Sequence, residues 1–187
     1  MNIFYLSHDV TECARQHTDK HCVKMILEYA QLLSTAHRFL DGEQIIGLSK
    51  SGRKAKRWKL NDGREDILYS ATHINHPSAV WARASAENYI WLSQLLRALC
   101  KEYTYRYGKT HKVEHSGLLF ALANNVPTNI PVSAGFSEPT PAMPDEYKVK
   151  GSSVESYRKY YLGTKTRMFN WKNRNIPEWV QHANLSL

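Results

Sequence analysis

Apolar residues are spaced most regularly over residues 18–42, where Cys22, Met25, Ile26, Tyr29, Leu32, Leu33, Ala36 and Leu40 recur at steps of three and four. That is the period of one buried helical face. The pattern predicts a core helix, capped by Thr18 or Asp19 and ended by Gly42 in a left-handed turn. On its other side His21, Lys24, Glu28, Gln31, Thr35 and Arg38 fall in one stripe, because steps of three and four residues keep to one side of a helix. A solvated face usually repeats Glu and Lys. This stripe mixes His, Gln, Thr and a single carboxylate, so it is a candidate functional row as much as a candidate surface.

A second long helix is predicted from the start His76-Pro77-Ser78, with Ser78 or Asn75 as cap, to Tyr107, closed by Gly108. Its buried stripe is Trp81, Ala84, Asn88, Trp91, Leu92, Leu95, Leu99 and Tyr103, and Asn88 on that side requires a hydrogen-bonding partner. Shorter elements complete the pattern. Residues 2–6 read as a strand or an apolar anchor, residues 9–17 as a helix capped by Asp9 or Thr11, and residues 112–124 as a helix weakened by Gly117. Ser152 and Glu155 form a capping box that opens a last aromatic and basic helix with its tail, residues 152–179. Five of the seven prolines fall in 127–144, predicting an extended connection over the surface. The sum is a mainly α fold: a single-domain helical bundle over 1–187 with two long core helices, a basic loop and a proline-rich surface segment.

Charge changes the picture at two places. Lys and Arg exceed Asp and Glu by 25 to 17, a net +8 that favours polyanionic partners, nucleic acid first. Residues 50–64 concentrate seven of those cations with one aromatic: Lys50, Arg53, Lys54, Lys56, Arg57, Trp58, Lys59 and Arg64. Such density repels itself and predicts a mobile loop within 45–66, suited to phosphates and a stacked base. In the last helix Tyr157, Tyr160 and Tyr161 interleave with Arg158, Lys159 and Lys165, either as a nucleic-acid surface or as an amphipathic helix whose tyrosines line the core. Cys13, Cys22 and Cys100, odd in number and without metal-knuckle spacing, read as reduced core thiols of a cytoplasmic protein. No leader-like or membrane-spanning pattern is present in the sequence.

Glu28 is the distinctive carboxylate, one turn beyond Lys24 and two beyond His21. A carboxylate held in a basic groove can stabilise an oxocarbenium-like centre or relay a proton during glycosidic cleavage, and Lys24 would keep it ionised. The plainer alternative is a surface Lys-Glu pair. The histidine pairs His17/His21, His73/His76 and His111/His115 lack a third ligand in sequence, so no metal and no cofactor is assigned.

Asp19, His21 and Glu28 form a D-x-H-x6-E pattern, and Tyr157, Lys159, Tyr160, Tyr161, Gly163 and Lys165 echo a YKYYGK tail with Leu162 inserted. On these motifs the chain resembles the phage pyrimidine-dimer DNA glycosylases with AP-lyase activity. Its opening also resembles an uncharacterised family of tailed-phage proteins. The first resemblance implies a small basic helical fold acting on damaged or modified pyrimidines in double-stranded DNA. An amine would attack C1′ and Glu28 would steer protons. His21, Gln31, Arg38, the 50–64 loop and the Tyr157 to Lys165 motif would hold the strand. The family's nucleophile is the α-amine of a small residue exposed by Met removal. Asn2 is bulky, so Met1 should be retained, leaving the Met1 amine or Lys24 as nucleophile, or the lyase chemistry lost. Leu27 and Gln31 stand where the family has arginines. Two other readings stay open: a non-enzymatic phage accessory or counter-defence protein binding a host protein or a nucleotide, and an enzyme acting on free nucleotides or modified bases.

Overall fold

The computed structural model describes residues 1–48, 51–132 and 134–184, with Asn184 described by its backbone alone. Two long helices organise it: α2, Asp19–Asp41, and α5, Ala86–Tyr107. They run antiparallel, since Tyr89 near the start of α5 meets His37 near the end of α2, and Arg106 at the other end meets Asp19. Before them, α1, Val10–Gln16, packs on α5, its first turn capped by Asp9, which accepts from the Glu12 amide. Between them come the antiparallel strands β1, Glu43–Leu48, and β2, Lys54–Lys59, then α3, Arg64–Ile67, and α4, Pro77–Ala82. After α5 follow α6, Lys112–His115, α7, Leu118–Asn124, α8, Ser153–Thr164, and α9, Glu178–Asn184. The fold is mainly α, as the periodicity predicted, and one apolar core joins residues 3–6, α1, α2, α4, α5, α7 and α8.

Several predicted elements take a different form. Residues 43–48 and 54–59 pair as the antiparallel strands of a hairpin where a mobile loop was expected. Lys54 and Lys56 stand exposed, with Ile46 and Leu48 across from Lys56 and Lys54, so pleating spreads the cations into solvent. Lys50 lies outside the described residues. The predicted helix from His76 breaks at residues 83–85. The ring of His76, rather than Ser78 or Asn75, caps α4 by accepting from the Ser78 amide, and Ser85 caps α5 by accepting from the Asn88 amide. Gly117, at a φ of +80, splits residues 112–124 into α6 and α7. Gly108 ends α5 left-handed at +64, as predicted, but Gly42 ends α2 with extended backbone. It is glycine for space, because a Cβ there would lie 2.5 Å from the Arg38 carbonyl oxygen. Asn88 finds its partners: its amide nitrogen donates to the Trp81 carbonyl and the Ser137 hydroxyl, and its oxygen accepts from the Ser137 amide. Ser152 accepts from the Glu155 amide to open α8, which ends at Thr164, well short of the predicted span.

A buried ion cluster ties the termini of the long helices together. Arg106, 1% exposed, donates to Glu102, to Asp19 and to the carbonyls of His17 and Arg15 at 2.7–2.9 Å. Asp19 also accepts from Asn170 and the Lys172 amide, so this acid of the D-x-H motif clamps residues 170–172 to α2. Replacing Arg106 with Met should lower stability by about 3 kcal/mol, since it strands two partly satisfied carboxylates in the interior. Thermal unfolding that matches the wild type would refute that role.

Candidate functional site

The opening of the chain is the apolar anchor rather than a strand, with residues 3–6 buried in the core. The Phe4 amide donates to the Tyr29 hydroxyl (3.1 Å), the Cys13 thiol to the Phe4 carbonyl, Arg158 to the Leu6 carbonyl and Ser78 to the Met1 carbonyl. The Phe4 ring stacks on His21 with centroids 4.2 Å apart. Residues 1–6 are thereby pinned between α2, α4 and α8, and this brings the Met1 amine to 3.8 Å from Glu28 Oε2. Lys24 Nζ stands 3.1 Å from Glu28 Oε1, so one half-buried carboxylate sits between two amines, as the i, i+4 spacing to Lys24 allowed.

The rest of the polar stripe does different work. Residues 68–76 run as an irregular strap across it, held by Arg38 on the Tyr69 and Leu68 carbonyls, by Thr35 on both backbone groups of Thr72, and by Arg83 on the Ile74 carbonyl. The strap carries His73, a non-glycine residue at a φ of +48, and ends at His76, the cap of α4. The pKa of His76 is lowered, first by burial and then by the positive charges of the Met1 amine and His73, against the pull of Glu28. These groups therefore lie within electrostatic reach of one another. His21 is pushed down to about 3 by burial, by His17 and by the charges of Lys165 and Lys24, which places Lys165 on the same side.

Not every candidate residue reaches this face. Arg38 is buried and holds strap and hairpin backbone, so it offers nothing to a phosphate. Trp58 is 9% exposed and packs on Phe39, so it offers no open face to a base. Tyr157 and Tyr161 are fully buried core residues of α8, the latter bonded to His21 at 2.5 Å. His21 is itself buried. Gln31 is half-buried on the stripe between Glu28 and Thr35. Lys159 is exposed but donates to the Glu146 carbonyl, and half-buried Tyr160 packs on Tyr147 and under the Lys165 amine. Arg53, Lys54 and Lys56 are exposed and Arg57 half-buried on the hairpin. The hairpin base meets α2 through Arg38, ten residues from Glu28 and hence about 15 Å along the same helix face.

The three cysteines are buried, with Cys13 and Cys100 pushed up to about 12 chiefly by desolvation, which leaves them unreactive. His17 and His37 are buried neutral, as His21 is. His17 donates from Nδ1 to the Cys13 carbonyl and accepts at Nε2 from the Tyr29 hydroxyl. His37 accepts at Nδ1 from Arg64 and donates at Nε2 to Tyr89, whose hydroxyl donates to the Leu122 carbonyl. Burial lowers both to about 4. Because the unfolded chain takes up these protons near pH 6.5 and the folded one does not, stability is full above 6.5 and falls towards pH 4. The loss is up to ~3 kcal/mol for each ring. A melting temperature that stays flat between pH 6.5 and 4 would contradict this.

Comparison with protein-family models, with curated proteins and with solved structures gives no match. No helix among the described residues is long and apolar enough to cross a membrane.

Proposed function

We propose that this protein is a DNA glycosylase or AP lyase acting on damaged or modified pyrimidines, with Glu28 and the Met1 amine as its reacting pair. The observation that carries the reading is the 3.8 Å approach of that amine to a carboxylate flanked by Lys24. An α-amine is a weaker base than a lysine amine, so at neutral pH more of it is the free nucleophile. Met1 is therefore assigned the attack, and Lys24 the holding of the carboxylate. The nitrogen bonds to C1′ as the base leaves with the glycosidic electron pair. The nitrogen gives up an N–H proton, and the C1′–O4′ bond opens with its electrons going to O4′, which is protonated, leaving the imine. Glu28 then takes a proton from C2′ of the resulting imine, and the C3′–O bond breaks by β-elimination.

The shape of the face supports a macromolecular substrate. Glu28 lies on a helix face beside the exposed Lys24, and the hairpin meets that helix at Arg38, about 15 Å along it, a span of four to five base pairs of duplex at about 3.4 Å each. In the assay, duplexes carrying an abasic site, a pyrimidine dimer or no lesion are incubated with the protein. Elimination products from the abasic or dimer duplex are expected, with binding that weakens by orders of magnitude from low to moderate salt. No incision of any duplex would defeat the proposal.

A further inference from the structure

A second basic site lies elsewhere on the molecule. A cavity of about 470 Å3 opens between α1, α5 and the segment before α9, lined among others by Val10, Arg15, Arg97, Lys101, Tyr105 and Arg174. Its α5 wall, Gln94, Arg97 and Lys101, follows the helical repeat on the side away from Tyr89 and Arg106, the residues that meet α2. Glu28, in turn, lies about two and a half turns from His37, which faces α5. The cavity and Glu28 are thus on opposite faces of the layer formed by the two long helices.

The cavity's charge is unbalanced. Its one lining carboxylate, Glu102, is already saturated by Arg106 and by both Nε and a terminal nitrogen of Arg174. Arg15 has a single distant pairing, 4.0 Å from Glu12. Among the described residues Arg97 and Lys101 make no ion pair or hydrogen bond, although each is exposed on the rim. Arg15, Arg97 and Lys101 therefore line a mainly apolar hollow together with Val10 and Ala98, opposed only by the distant Glu12 carboxylate. An anion with several oxygens relieves that repulsion, and guanidinium groups suit phosphate in particular. The Tyr105 ring, 54% exposed and backed on one face by Arg174 at 3.8 Å, adds a surface for a planar group. The volume falls in the range of small-ligand sites, well above what a lone phosphate fills.

We propose that this cavity binds a nucleotide, its phosphates on Arg15, Arg97 and Lys101 and its base against Tyr105. The assignment does not rest on the chemistry proposed for Glu28. Calorimetric titration of the full chain with each of the four ribonucleoside triphosphates tests it, alongside pyrophosphate and a short single-stranded oligonucleotide. Saturable binding of a triphosphate is expected, weakened at least tenfold by Arg97→Ala with Lys101→Ala and unchanged by Glu28→Gln. Both alanines fall at exposed positions, so the variant should melt with the wild type. No saturable binding, or binding indifferent to the double substitution, overturns the proposal. Pyrophosphate binding as tightly as a triphosphate would remove the base from it, and an oligonucleotide binding there more tightly than any triphosphate would assign the cavity to a nucleic-acid strand instead.

Discussion

Arg38→Ala should lower stability by ~3–5 kcal/mol and the melting temperature by about 10 °C. The side chain is 5% exposed and all five of its N–H groups are engaged: Nε on the Tyr69 carbonyl, one terminal nitrogen on the Trp58 carbonyl and Glu65, the other on the carbonyls of Glu65 and Leu68. Truncation leaves four backbone acceptors and a carboxylate without that donor, at the junction of α2, the hairpin and the strap. Lysine has three donors radiating from one point and cannot reproduce the fork, so Arg38→Lys should recover little. Thermal unfolding decides the matter. A variant that melts with the wild type but binds DNA more weakly would restore Arg38 to the role the sequence suggested and refute its structural one.

Glu28→Gln should reduce incision of an abasic duplex by a factor of about 10² to 10⁴, the contribution of a positioned proton-transfer group. Glutamine keeps the shape and a hydrogen-bond acceptor for Lys24, but it can neither take the C2′ proton nor offset charge at C1′. Glu28 is half-buried and its partners are the Met1 amine and the exposed Lys24, so the fold should stand and the melting temperature should change little. Rate loss without loss of DNA retention is the expected signature. Unchanged rates on every duplex the wild type cleaves would place the chemistry elsewhere.

Local signals carried much of this architecture. The Asp9 cap, the span of α2, the left-handed Gly108 and the partnered Asn88 each follow from a few neighbouring residues, and each stands in the structure where the pattern put it. What the pattern could not carry was the pairing of distant segments. A cation-dense run gave no sign of its register with residues 43–48. The strap is irregular chain whose place is set by Thr35 and Arg38, and those side chains looked like surface because they are polar. In α8 the amphipathic reading holds for Tyr157 and Tyr161: with Val154 they keep steps of three and four and are buried, so the alternation of aromatic and basic residues along the chain makes no stacking surface of them. At the candidate site the Glu28 and Lys24 pair was legible from spacing alone. The arrival of Met1 was not, because it depends on Phe4, Leu6 and the Met1 carbonyl being held by Tyr29, Arg158 and Ser78.

Borohydride reduction of the protein on an abasic duplex, followed by peptide mapping, tests the pairing of Met1 with Glu28 most directly. Attack by the Met1 amine predicts a covalent protein–DNA adduct on the N-terminal peptide, and blocking of that amine before the reaction should abolish it. A duplex that is bound but never trapped, or an adduct mapped to a lysine, would contradict the assignment.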